Sequence, residues 1–155
     1  MSILVPYDGS DIARAALSRG VELASALGRE LLAVSVIPDR ARYASRKGWL
    51  EEGEDFDVDV VAERLRGQVS AAAPEAAFEV VPIEGEPSGG YIARKIRDHA
   101  RSQDVVLLVL GSETVGRVVT PLTSVGKGVA AEQTYELYLV RSPEYVADHP
   151  LVAPE

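Results

Sequence analysis

The ten residues ELLAVSVIPD at positions 30–39 carry almost no polar alternation. A strand with one face in water alternates apolar and polar side chains. One without alternation is apolar on both faces and has to be covered on both, the condition met in parallel sheets flanked by helices. ILVPY at 3–7 and DVVLLVLG at 104–111 have the same character, and AFEVVPI at 77–83 and TYELYLV at 134–140 complete five predicted strands.

Helical patterns fall between them. Ala13, Ala16, Leu17, Gly20, Ala24 and Leu27 recur at helical spacing, with Arg14, Ser18, Glu22 and Ser25 on the opposite face. Ser10 or Asp11 is the expected N-cap and Gly28 the stop. Val58, Val61, Leu65 and Val69 predict a second helix ending near Pro74. Ile92, Ile96 and Ala100 predict a third, entered through the turn EGEPSGG with Ser88 as cap, and a last helix is expected over residues 124–131. Strict strand–helix alternation implies right-handed crossovers and a parallel, doubly wound α/β sheet. Ligands in such sheets bind beyond the carboxyl ends of the strands. Here those ends are Asp8-Gly9, Ile37-Pro38 and Gly111-Ser112.

Residues 38–56, PDRARYASRKGWLEEGEDF, break the rhythm. They are longer than an ordinary connection and mix basic and acidic clusters around Trp49. The acidic run EEGED lacks the alternating ligand spacing of a calcium loop and is expected to be a solvated, mobile loop.

Composition narrows the chemistry. The 155 residues suit one domain, predicted over residues 1–142 with a proline-containing tail over 143–155. There is no cysteine, which removes thiol catalysis, disulfides and thiolate metal sites. Two histidines, His99 and His149, are too few for a histidine-rich metal centre. With 24 acidic against 16 basic side chains the net charge is −8, which argues against nucleic acid as a partner. Only three of the cations are lysines (Lys47, Lys95 and Lys127), a bias that suits a high-salt cytoplasm or a GC-rich genome. No leader precedes ILVPY and no apolar run approaches the ~20 residues of a membrane span, so a cytoplasmic protein without membrane association is expected.

Several motifs resemble known sites without their working parts. GSETVGRV follows a strand and nearly spells a triphosphate loop, but Arg117 and Val118 stand where the lysine and the magnesium-binding hydroxyl belong. Glu84 and Glu86 in EGEPSGG would repel a pyrophosphate. His99 has no nucleophile beside it and reads as a partly exposed helix histidine.

ILVPYDGSDIARAAL, ELLAVSVIPD, EGEPSGGYIARKIRDHARSQDVVLLVLGS and the later TSVGKGVA and YELYLVRSP, in that order, resemble the universal stress protein family over residues 3–143. The resemblance implies a five-stranded parallel sheet of order 3-2-1-4-5, the adenine-nucleotide-hydrolase-like arrangement, with helices on both faces. It also implies a homodimer through the last strand, here through Tyr135, Leu137 and Leu139. Pairing would also protect that edge, which is rich in tyrosine and leucine.

One branch of the family binds ATP through a loop spaced as glycine, two residues, glycine, nine residues, glycine, then serine or threonine. Glycines allow close backbone approach, and the hydroxyl and helix amides hold phosphates. A carboxylate ending the first strand and a branched apolar residue closing the second complete the adenosine site; those positions match Asp8 and Val36. In the loop, Gly111 and Ser112 match. Thr114 and Thr123 replace the second and third glycines, and Ser124-Val125 follow with one residue missing between. Threonine tolerates positive φ poorly and adds bulk. A rival alignment uses Gly116 and Gly126, separated by nine residues, with Lys127 in place of the hydroxyl. Ser124 also reads as a plain N-cap, and Asp8 as a plain turn residue.

The candidate nucleotide site is thus Asp8, Val36, Gly111, Ser112, Thr114, Thr123, Ser124 and Val125, with ATP or AMP as the ligand. No catalytic or metal-binding residue is legible. The function expected is that of a stress-response protein acting by binding and dimerisation, with degenerate or weak nucleotide binding. Its alternative is an ATP-dependent switch, for which slow hydrolysis stays open. A third reading, an enzyme on another substrate with the segment around Trp49 as a lid, has no nucleophile–base pair to support it.

Overall fold

The computed structural model describes residues 1–85, 88–111 and 135–141. The strands are β1 (Ser2–Pro6), β2 (Glu30–Pro38), β3 (Ala77–Ile83), β4 (Val105–Gly111) and β5 (Glu136–Val140). The helices are α1 (Asp11–Leu27), α2 (Ala41–Arg46), α3 (Val58–Ala72) and α4 (Gly89–Ser102). All strand pairings are parallel and the order is β3-β2-β1-β4-β5, as the resemblance implies. The last predicted helix, over 124–131, and the tail lie outside the described residues.

The lack of alternation in the strands has a direct structural cause. Successive side chains point to opposite faces of a sheet, and here both faces are apolar and covered. Ile3, Val5, Leu31, Ala33 and Val109 pack on one face with Leu17 of α1 and Val61, Leu65 and Val69 of α3. Leu4, Leu32, Val34, Leu108 and Leu110 pack on the other with Ala93, Ile96 and Ala100 of α4.

The predicted caps are in place. Ser10 Oγ accepts from the Ala13 amide at 3.2 Å and Ser88 Oγ from the Tyr91 amide at 3.0 Å. Gly28 closes α1 in the left-handed region at φ 64°. The departure is α2, which falls inside the segment expected to be irregular. It spans six residues, and its N-cap Arg40 makes no side-chain capping bond. Only Ala44 of α2 is buried, so no apolar periodicity announces the helix.

The chain runs outward from β1 through β2 to β3, then returns to place β4 on the other side of β1. Strand order therefore reverses between β1 and β4, where the carboxyl ends of both strands open a crevice.

Candidate functional site

A cleft of about 200 Å³ occupies that crevice. Asp8 and Gly111 flank it from the ends of β1 and β4, and Val34 and Val36 of β2 contribute its floor. Ile92 and Ile96 of α4 form a wall, and Tyr43 of α2 with Lys47 just beyond it forms a roof.

Asp8 is held from three directions. Its Oδ1 accepts from the Ser10 amide at 2.9 Å, its Oδ2 from Lys47 Nζ at 2.8 Å, and its carbonyl oxygen from Trp49 Nε1 at 2.7 Å. Burial pushes the Asp8 carboxyl up, but the bonds from Lys47 and Ser10 outweigh it and hold the group below the usual aspartate value. Burial pulls the Lys47 ammonium down, and Asp8 more than compensates, so its pKa is raised. Both groups are therefore charged at neutral pH.

The turn that presents Asp8 is built for it. Gly9 has φ 83°, a conformation side chains disfavour. Tyr7 is fixed by its amide to the Val34 carbonyl at 2.7 Å, and its hydroxyl donates to Gln68 Oε1 at 2.7 Å. Ser35 Oγ donates to the Tyr7 carbonyl at 2.6 Å in a fully buried contact. Burial raises the Tyr7 phenol, which keeps it a neutral hydrogen-bond donor.

Residues 39–56 form a strap rather than a free loop. Arg64 of α3 donates to the Trp49 carbonyl at 3.0 Å and grips both oxygens of Glu54 at 2.6 Å. The Arg64 guanidinium holds the Glu54 carboxyl down to about 2. The acidic run expected to be mobile is thus tied down at Glu54. Trp49 is buried, and its ring lies 5.7 Å from that of Tyr43.

Of the predicted site residues, Asp8, Val36 and Gly111 line one cleft. Ser112, Thr114, Thr123, Ser124 and Val125 lie outside the described residues, as do the rival Gly116, Gly126 and Lys127. Gly111 has a packing role independent of any ligand: a Cβ there would stand 2.6 Å from Ile12 Cγ1. Lys47, which lines the cleft, and Trp49, which does not line it but bonds the Asp8 carbonyl, were not assigned to the site from the sequence. The available signal was a basic cluster with the chain's only tryptophan, directly after a strand end that marks a ligand crevice.

His99 is half-buried and sits away from the cleft, its Nε2 2.7 Å from Glu79 Oε2 of β3. Among the described residues no group of three or more His, Asp or Glu side chains could hold a metal ion, and no helix is long and apolar enough to cross a membrane.

The family model described as the universal stress protein family matches residues 1–141. The chain belongs to the universal stress protein family. Among solved structures, a universal stress protein family member from Burkholderia pseudomallei superposes with TM-score 0.57 at 22% identity, covering 90% of this chain and 95% of that one. A universal stress protein in complex with cAMP gives 0.53 at 20% identity, with 91% and 97% covered. One from Archaeoglobus fulgidus in complex with dAMP gives 0.53 at 18%, with 91% and 98% covered. At these identities the likeness carries the fold alone. No curated protein matches the sequence significantly.

Proposed function

We propose that this universal stress protein acts in the cytoplasm by ligand occupancy and self-association rather than by turnover, and that its cleft binds adenine nucleotides weakly. The observation that carries the reading is the convergence of Asp8, Val36 and Gly111 on one cleft at the strand-order reversal. A hydrogen-bonding carboxylate above an apolar floor suits a nucleoside: the base lies against Val34, Val36, Ile92 and Ile96, and the polar edge meets Asp8. Two family members solved with cAMP and with dAMP support an adenine ligand.

Weakness follows from the dimensions and from the sequence. The cleft of about 200 Å³ falls below the ~300–1,000 Å³ of ordinary small-molecule sites. Lys47 already occupies one Asp8 oxygen. Thr114 and Thr123 replace two glycines of the family's phosphate loop.

Self-association through β5 is part of the same reading. The sheet has two edges. β3 carries Pro82, which lacks an amide to donate, whereas β5 has no proline and exposes Leu139. β5 is therefore the edge better suited to pair with a second copy, through Leu137 and Leu139; Tyr135, expected in that interface, precedes β5 and is buried in this chain's own core. In the same proposal residues 1–142 form the domain and 143–155 a tail.

Native mass spectrometry tests occupancy and assembly together, and calorimetric titration with AMP and with ATP and magnesium tests affinity. The expected result is a dimer with dissociation constants well above micromolar. Micromolar ATP affinity would overturn the weak-binding reading in favour of an ATP-dependent switch.

A further inference from the structure

We propose that Lys47, rather than the turn after β4, is the partner for the anionic group of the cleft's ligand, so that the site favours an adenosine carrying one phosphate over a triphosphate. The inference rests on reading the cleft as a nucleotide site.

The first argument is position. Lys47 lines the cleft beside Asp8, with about a third of its side chain (34%) exposed. A lysine ammonium carries three donors; Asp8 Oδ2 takes one and the Tyr43 side chain engages the same group, which leaves a donor for a ligand. The Tyr43 ring, with its centroid 5.6 Å from Nζ, holds the cation at the roof.

Charge gives the second argument. The chain carries −8 overall, yet Arg40, Arg42, Arg46 and Lys47 cluster within eight residues of the strap. Arg40 Nε is engaged by the Gly85 carbonyl at 3.2 Å and Arg46 lies 5.8 Å from the centroid of the Tyr43 ring. Lys47 is the member of the group that lines the cavity. On an anionic molecule, a cluster of cations beside the cleft favours an anion there.

Gly111 supplies the third. Its bare Cα is already required by Ile12, 2.6 Å from where a Cβ would stand, so the glycine that survives from the phosphate-loop pattern is not evidence for a phosphate there. The remaining two glycine positions are threonines. The roof is also fixed in place: Trp49 Nε1 bonds the Asp8 carbonyl and Arg64 bonds the Trp49 carbonyl, which limits the space beside Lys47. One phosphate satisfies a single ammonium in that space; among the described residues no second cation lines the cleft for the rest of a triphosphate.

Calorimetry with adenosine, AMP and ATP on the wild type, Lys47→Met, Lys47→Gln and Lys47→Arg tests this, with circular dichroism to confirm folding. The wild type should bind AMP more tightly than adenosine, and ATP no more tightly than AMP. Lys47→Met and Lys47→Gln should each lower the AMP-to-adenosine affinity ratio about tenfold, the scale of one charge-assisted hydrogen bond, and Lys47→Arg should restore it. In the wild type, added salt should weaken AMP and leave adenosine unchanged. Equal wild-type affinities for AMP and adenosine, an unchanged or higher ratio in the variants, or ATP far tighter than AMP would each overturn the role of Lys47 while leaving the cleft a nucleotide site. A wild type that binds neither adenosine nor AMP would overturn the reading of the cleft, and this inference with it.

Discussion

Gly111 and Ile12 stand so close that the end of β4 has no room for a side chain beside the first turn of α1. A Cβ at Gly111 would meet Ile12 Cγ1 at 2.6 Å, Cγ2 at 3.0 Å and Cβ at 3.3 Å. The isoleucine cannot simply swing away, because its branch point is itself in contact. Gly111→Ala should therefore lower the unfolding free energy by about 1–3 kcal/mol, the usual penalty for overpacking. Ile12→Ala in the same chain should recover part of that loss, a coupling that urea denaturation of the four variants measures. A Gly111→Ala protein as stable as the wild type would show that the start of α1 yields.

The Asp8–Lys47 pair predicts a defined pH response. Asp8 is held below the ~3.9 of an exposed aspartate, so its contribution is complete above that value and disappears as pH falls through its folded-state pKa. Lys47 is raised above the ~10.4 of an exposed lysine, so its contribution is complete below that value and disappears as pH rises through its folded-state pKa. The pair therefore stabilises the fold across the whole neutral range. With side chains 33% and 34% exposed, solvent screening leaves about 1 kcal/mol or less. Asp8→Asn should lose that amount at pH 7, and its stability should fall less steeply than the wild type's on acidification. Denaturant midpoints measured from neutral to acid pH check both.

Legibility in the sequence followed how local the cause of each feature was. Both faces of β1, β2 and β4 are buried, so each strand announced itself as an unbroken apolar run, and the sheet order agreed with what the family resemblance implied. Ser10, Ser88 and Gly28 act within three or four residues and were readable for the same reason. The strap was not. Trp49 reaches a carbonyl 41 residues back and Lys47 a carboxylate 39 residues back, and no periodicity encodes such pairings. Glu54 looked like one more charge in a solvated run because Arg64, ten residues on, is brought to it only by the packing of α3. Asp8 could be placed at the crevice from sequence, but not its three partners.

Arg64 is the anchor on which the strap depends. It holds the Trp49 carbonyl and both Glu54 oxygens at once, while Trp49 in turn holds the carbonyl of Asp8. Arg64→Met should loosen residues 48–56 without unfolding α3, since Val61, Leu65 and Val69 carry that helix's packing. The single tryptophan reports the change directly: its emission should shift to the red and its quenching by acrylamide should increase. Trypsin should also cut faster after Lys47. Unaltered fluorescence and cleavage would mean that Trp49 burial alone keeps the strap closed.

The β5 edge offers a test that does not depend on any ligand. β5 pairs with β4 along Glu136–Val140 and its other side meets no described strand. Leu139 is 43% exposed, and Tyr138 is braced from α1 by Arg19, whose guanidinium lies 5.8 Å from the ring centroid. An uncovered edge strand without proline is a template for a second strand. Leu139→Lys places a charge on that edge and removes little buried area within the chain, so the fold should survive. Analytical ultracentrifugation should then show a dimer for the wild type and a monomer for the variant, with matching circular dichroism spectra. If Leu139→Lys remains dimeric, the copies meet through another surface and β5 is left as an ordinary sheet edge.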